Sequence, residues 1–380
     1  MLTKFARAAA LAFFMLPFAW AGQSAAHEGV TTSAKIKPVV EVAFVLDTTG
    51  SMGPLIEGAK RKIWSIATSI VDANPEAEVH MALVAYRDIG DEYVTKKFDL
   101  TTDIQGLYGE LLQFRARGGG DWPESVNEAL DMAVTKLNWS KGREICRIIF
   151  LVGDAPPHMD YAQDRKYPEV VADARQRGII VNAVQAGDAR DTERVWREIA
   201  QHADGEYLRI PQDGAVVVIE TPYDRKIHEL QIELNKTVIP YGKRAEQRAV
   251  QDKLERSAAA PAPAASDMAG YMNKKAGVRE LVTGGGDLVG DMIAGRARLE
   301  AVPEAELPKE LRPLAPAERK ALIETQTAKR KALDERMSEF VKQRDGHIVA
   351  ERAKQPQAKD SFDRVVEDTL RKQVTRPTTN

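Results

Sequence analysis

The first half of this 380-residue chain predicts an α/β fold, a Rossmann-like, doubly wound and mainly parallel six-stranded sheet with one antiparallel edge strand. A mostly helical C-terminal region follows it. Three observations carry the expectation. Short apolar runs alternate with amphipathic stretches from Val39 to Ile210. The first, fourth and fifth runs are rich in Val, Ile, Leu and Phe, as central parallel strands covered on both faces require. The second and third runs are joined by a few residues, 87–92, that include a Gly, which fits a hairpin.

In chain order the strands are expected at 39–46, 79–86, 93–98, 146–152, 179–185 and 206–210. Helices are expected between them at 55–70, 104–115, 125–137, 162–177 and 191–202. Together these give an α/β domain over 38–215. A helical connector follows at 222–256, with Ile227, Leu230 and Leu234 on one face. Residues 257–266, reading SAAAPAPAAS, predict an extended, poorly ordered Pro/Ala linker. The stretch 267–354 is expected to be mostly helical, and 355–380 a polar, frayed tail. Within it a long helix at 317–354 aligns Leu333, Met337, Phe340, Arg344 and Ile348. That face fits a seam to a partner helix, and so an oligomer, or packing on the protein's own α/β domain. Gly284-Gly285-Gly286-Asp287 reads as a turn and helix cap, because a P-loop needs Gly-Lys-Ser/Thr at its end.

Residues 1–26 predict a secretory signal peptide. Lys4 and Arg7 precede an apolar core at 8–18, and small-residue sites follow at Ala19-Trp20-Ala21 and Ser24-Ala25-Ala26. The core is shorter than the roughly 20 residues of a spanning helix, which favours cleavage over anchoring. The expected product is exported, periplasmic or secreted, without stable membrane insertion. Lys and Arg number 54 against 56 Asp and Glu, a balance that argues against a nucleic-acid partner. Cys146 is the only cysteine, so no intramolecular disulfide forms, and its place in an apolar run predicts a buried strand thiol.

The chemistry concentrates where open α/β sheets bind ligands, beyond the C-terminal ends of their strands. Asp47, Thr49 and Ser51 follow the first strand, Asp121 follows a Gly-Gly-Gly turn, and Asp154 ends the fourth strand. Carboxylates and hydroxyls from three loops around one point suit a hard divalent cation, Mg²⁺ or Mn²⁺. No His/Cys cluster has zinc spacing. Asp88, Trp122, Glu124 and His158 lie on loops at the same edge and are candidate ligand contacts, with ordinary loop hydrogen bonding, capping or packing as the plainer reading of each.

The stretch FVLDTTGSMG at 44–53, the Gly-rich turn before a later helix and the Asp ending the fourth strand resemble the metal-ion-dependent adhesion site of von Willebrand factor type A domains. The resemblance implies that Asp47, Thr49 and Ser51 are first-loop metal ligands and Asp154 the third-loop carboxylate. The second loop departs from integrin-like members, presenting Asp121 in Gly-Gly-Gly-Asp-Trp-Pro-Glu where they present a Thr. Together with Ala85-Tyr86-Arg87-Asp88 and Asp154-Ala155-Pro156-Pro157-His158, it resembles the subgroup found beside atypical alpha-kinases. The added carboxylate should tighten metal binding and reduce the metal's pull on an acidic ligand.

The function expected is a metal-ion-dependent protein–protein interaction module, not an enzyme, with a protein partner docking at the metal edge through an acidic residue. The alternatives are a Mg²⁺- or Mn²⁺-dependent hydrolase and a structural envelope-assembly protein whose metal only stabilises the fold. Against the hydrolase, no nucleophile or positioned general base is evident, His158 being the one nearby candidate.

Overall fold

The computed structural model describes residues 37–375, apart from 143, 276–278 and 355–359; the expected signal peptide lies outside the described residues. Six strands, β1 (Val39–Asp47), β2 (Glu78–Tyr86), β3 (Thr95–Thr101), β4 (Ile145–Gly153), β5 (Ile179–Ala186) and β6 (Tyr207–Ile210), form one sheet in the order β3-β2-β1-β4-β5-β6. β3 is antiparallel to β2 and every other pair is parallel. The expected architecture is therefore the observed one. Chain direction across the sheet reverses between β1 and β4, the switch point at which such sheets open a crevice.

Two helical layers cover the sheet because its strands are apolar on both faces. On one side α3 (Val126–Lys136), α4 (Tyr167–Gln176) and α5 (Arg190–His202) bury Val126, Leu130, Val170, Trp196 and Ile199. α4 begins at Tyr167, later than expected, because Lys166 is extended and Pro168 sits in the first turn, where its missing N–H costs nothing. On the other side lie α1 (Gly53–Ala73) and α2 (Ile104–Leu111). α2 stops at Leu111, short of the expected 115. The carbonyls beyond it are used elsewhere, Phe114 O accepting from Lys60 Nζ at 2.8 Å and Arg115 O from Arg87 Nη2 at 2.9 Å.

The same face carries two corrections. The expected linker at 257–266 is helical, divided between the end of α7 (Arg244–Ala259) and the start of α8 (Ala262–Lys274). Pro261 occupies the cap position and Pro263 the first turn, where proline is tolerated, and the small side chains allow close packing. Ala264, Ala265, Met268 and Tyr271 are buried, and the Tyr271 ring lies 5.7 Å from that of Trp64 on α1. The expected frayed tail contains α11 (Phe362–Val374), whose Phe362, Val366 and Leu370 join the core beneath α1. Gln373 exchanges two hydrogen bonds with Asn182 of β5, at 2.9 and 2.8 Å, and Asp363 lies 3.4 Å from Lys62. Cys146 is half-buried on β4, its thiol donating to Gln373 O at 3.9 Å, and burial pushes its pKa up to about 11.

Between β6 and α11 the chain builds a helical layer of its own from α6 (Asp224–Asn235), α7, α8, α9 (Leu288–Ile293) and α10 (Pro316–Lys354). The apolar face of α10 is used within the chain. Leu333, Met337 and Val341 pack with Ile227, Leu230 and Leu234 of α6, so the expected seam for a partner helix is already filled. Buried ion pairs fix the helix in register. Arg330 reaches Asp287 at 2.6 Å and Thr237 at 2.9 Å, and Arg344 reaches Asp224 at 2.6 Å and Asp267 at 2.7 Å. Asp287 does sit at the cap position of α9, but its carboxylate serves Arg330 instead of the helix N–H groups. The described residues form a single compact unit.

The burial of α11 has a measurable consequence. Leu370→Ala should lower unfolding free energy by about 2–5 kcal/mol, the usual cost of emptying a core leucine site. Urea titration checks this, and a change near zero is the outcome a frayed tail would give.

Candidate functional site

Asp47 is the last residue of β1 and is 1% exposed. The chain turns immediately, and both the N–H and the hydroxyl of Thr49 donate to Asp47 Oδ1, at 2.8 and 2.7 Å. The Ser51 hydroxyl lies 3.4 Å from that of Thr49. The other oxygen, Asp47 Oδ2, is buried and accepts no hydrogen bond among the described residues.

A second loop lies flush against the first. Gly50 N donates to Gly118 O at 3.1 Å and Arg117 N to Thr48 O at 3.0 Å. Gly119 has a φ of +80°, and a Cβ there would stand 3.2 Å from Thr49 Cβ and 3.0 Å from Glu124 Oε1, so both conformation and space favour glycine. Glu124 ends this loop. Its side chain is buried and Oε2 has no hydrogen-bond partner, while its backbone joins the third loop through Glu124 N to Pro156 O at 3.0 Å and His158 N to Glu124 O at 3.1 Å. Asp154 leads the third loop after Gly153, where a Cβ would meet the Tyr86 hydroxyl at 2.3 Å and Asp47 Cβ at 3.1 Å. Gln212 Nε2 donates to Asp154 Oδ2 at 2.7 Å, and the Thr192 hydroxyl to the Asp154 carbonyl at 2.9 Å.

The electrostatics follow from burying acids together. Burial raises the Asp47 carboxyl to about 7 against the two Thr49 hydrogen bonds, which lower it, with Asp154 and Asp91 adding smaller repulsions. Burial, reinforced by Asp47, Asp88, Asp91 and Asp154, raises Glu124 to about 9. The Tyr86 phenol is also pushed up, first by burial and then by Asp47, Asp154 and Glu124. All the charged neighbours that shift these three groups are acids. The nearby Arg87 guanidinium is directed elsewhere, to Thr48 O, Arg115 O and Glu92, and lies over the Tyr93 ring.

The expected residues divide into two groups. Asp47, Thr49, Ser51 and Asp154 meet at the switch point. Asp121 does not join them. Its side chain is 61% exposed, with Oδ2 3.6 Å from His158 Nε2, and it clusters with Asp88 and His158 with one ligand atom of each within 4.8 Å of the others. The glycine turn carries residue 121 past the first loop, and Glu124 is the second-loop acid that enters. Glu124 does precede α3 as expected, but its carboxyl faces the site. Asp88 accepts from the Ser125 and Tyr161 hydroxyls, each at 2.8 Å. Trp122 is exposed, with Nε1 donating to Asp191 Oδ2 at 2.6 Å. Asp91 and Gln212 escaped the sequence reading, and Tyr86 entered it only within the Ala85-Tyr86-Arg87-Asp88 stretch. Asp91 is marked only by its place in the β2–β3 connection, where it accepts from Gly119 N at 3.0 Å. Nothing local marks Gln212.

Residues 41–222 match the family model of the von Willebrand factor A domain. The chain is 37% identical over 102 residues to human von Willebrand factor A domain-containing protein 7, covering 26% of this chain and 10% of that protein. It is 32% identical over 124 residues to an ariadne-like RING finger protein of Acanthamoeba polyphaga mimivirus, covering 32% of this chain and 11% of that one. With the Dictyostelium discoideum alpha-protein kinase vwkA it shares 27% over 123 residues, 31% of this chain and 19% of the kinase. The chain thus spans only about a tenth to a fifth of the length of these relatives. Among solved structures it is similar to the SpRpn10 VWA domain, at 12% identity and a TM-score of 0.36, covering 47% of this chain and 89% of that one. The α/β half of the chain is accordingly of the von Willebrand factor A type.

The raised carboxyls fix a pH dependence for the chain in chelator. From ordinary values of 3.8 and 4.5, Asp47 rises to about 7 and Glu124 to about 9, so between those limits the folded state holds more protons than the unfolded one. Their contribution to stability is complete below the lower values and is lost as pH rises through the upper ones. Thermal midpoints in EDTA should fall between roughly pH 4 and 9, and Glu124→Gln should flatten the upper part of that fall. Superimposable profiles for wild type and variant would contradict this assignment.

Proposed function

We propose that this chain is a metal-ion-dependent protein–protein interaction module of an exported protein, holding Mg²⁺ or Mn²⁺ with Asp47, Thr49, Ser51 and Asp154, and with Glu124 beside them. One observation carries the reading: among the described residues the buried Oδ2 of Asp47 has no hydrogen-bond partner and faces other acids and no cationic side chain. An uncompensated buried carboxylate is costly, and a divalent cation removes the cost. The donors are all oxygen, two of them neutral hydroxyls, which suits a hard cation that retains some of its water.

The bound ion supplies an electrophilic position at the sheet edge. The chain's residues do the rest. Asp47 holds the first loop through Thr49, Gln212 fixes the orientation of Asp154, and Gly119 lets the second loop close over Thr49. Ile89, Trp122 and Met159 are 50, 46 and 48% exposed on the loops of this edge and offer apolar contact around a central polar anchor. The surplus of acids weakens the ion's attraction for a partner carboxylate, so the partner's acidic residue contributes less here than at a site with a hydroxyl in the second loop. Domains of this type typically serve as interaction modules. A hydrolase is disfavoured because the Thr49 and Ser51 hydroxyls neighbour Asp47 and each other, with no imidazole among the described residues hydrogen-bonded to either. Placement near the alpha-kinase subgroup rests on the second- and third-loop residues and on the similarity to vwkA. Export rests on the signal-like pattern of residues 1–26.

Isothermal titration with MgCl₂ and MnCl₂ tests the site. Wild type should bind one Mg²⁺ per chain, and Asp47→Ala should lose that binding at least tenfold while retaining its circular dichroism spectrum. Equal binding by wild type and variant would remove the reading.

A further inference from the structure

We propose a second cation site, separate from the Asp47 loop, in which His158 Nε2, Asp88 Oδ2 and Asp121 Oδ2 take a zinc-class divalent transition ion. The side chains come from three loops: Asp88 from the β2–β3 connection, Asp121 from the glycine-rich loop and His158 from the loop after β4. One donor atom of each lies within 4.8 Å of the others.

The histidine gives the cluster its meaning. Its side chain is 6% exposed, yet Nε2 makes no hydrogen bond among the described residues and lies 3.6 Å from both Asp88 Oδ2 and Asp121 Oδ2. That separation is too long for a hydrogen bond. The spacing instead approaches the edge of a tetrahedron of N and O ligands around an ion at ~2.1 Å, about 3.4 Å.

The surroundings are arranged as a metal site needs. His158 Nδ1 lies 2.8 Å from Asp160 Oδ1, which fixes Nδ1 as the donor and leaves the Nε2 lone pair for the ion. Tyr161 stacks on the ring with centroids 3.9 Å apart, and its hydroxyl donates to Asp88 Oδ2 at 2.8 Å. Ser125 holds the other oxygen of Asp88 at 2.8 Å. Asp121 is exposed, so the ion has a path from solvent and keeps an open position for water or a partner's donor. The imidazole sets the choice of ion, because nitrogen ligation favours zinc-class metals over the Mg²⁺ suited to the all-oxygen loop. The pattern escapes a sequence search because its three ligands are scattered over residues 88–158 rather than set at a short zinc spacing.

Cobalt serves as the spectroscopic probe. The full chain, freed of metal and titrated with Co²⁺, should develop visible ligand-field absorption that one equivalent of Zn²⁺ abolishes. His158→Ala should lose the band, and Asp121→Asn, an exposed change that leaves the core intact, should weaken Co²⁺ binding at least tenfold. Asp47→Ala should keep the band, which separates this site from the one proposed at the first loop. A wild-type chain with no band, or a band that survives His158→Ala and Asp121→Asn, or one abolished by Asp47→Ala alone, overturns the proposal.

Discussion

Burial of acids at the reversal point of the sheet, with no basic side chain among the described residues to answer them, is the constraint around which the rest is arranged. β1 and β4 run parallel and adjacent, so Asp47 and Asp154 are delivered to the same end of the sheet. Glycine at 153 brings the Tyr86 hydroxyl and Asp47 close to the end of β4, and glycine at 119 brings the second loop onto Thr49. Every step that makes the site compact also raises the electrostatic cost of leaving it without a cation. Arg87, which follows the next strand, is spent on carbonyls, the Glu92 carboxylate and an aromatic ring.

The scaffold supporting this crevice reaches beyond the α/β segment. α1 starts at the Asp47 loop and lies in the layer that α8 and α11 complete. The last helix of the α/β core is therefore supplied from near the C-terminus, after the chain has built the α6–α10 layer. Lys62 to Asp363 and Asn182 to Gln373 tie that return to the first helix and the fifth strand. The helical layer is consequently part of what holds α1, and with it the first loop, in position.

Much of this was legible because periodicity and strand-end chemistry are local. The six strands, the antiparallel edge and the DTTGS loop follow from short windows of sequence. The second loop did not. Asp121 and Glu124 stand three residues apart beside flexible glycines, and only the bridge from Glu124 to Pro157 decides which one turns inward. The Ala/Pro stretch resembled a linker because its composition is that of linkers; its helix depends on burial against α1. In α11 the spacing of Phe362, Val366 and Leu370 carries the helical period, but surrounding charge masks it, and nothing in the sequence alone tells that those residues meet the sheet. The long face of α10 showed that something packs there, while the choice between a partner and the chain itself depends on tertiary contacts with α6.

Anomalous diffraction from Mn²⁺-soaked crystals tests the central claim, that the acids at the sheet's reversal point hold a divalent cation. A manganese peak bonded to the Ser51 or Thr49 hydroxyl and facing Asp47 and Asp154 is the expected result. Saturating Mn²⁺ with no peak at that position, while the Asp47 carboxylate stays buried and unpartnered, would contradict it.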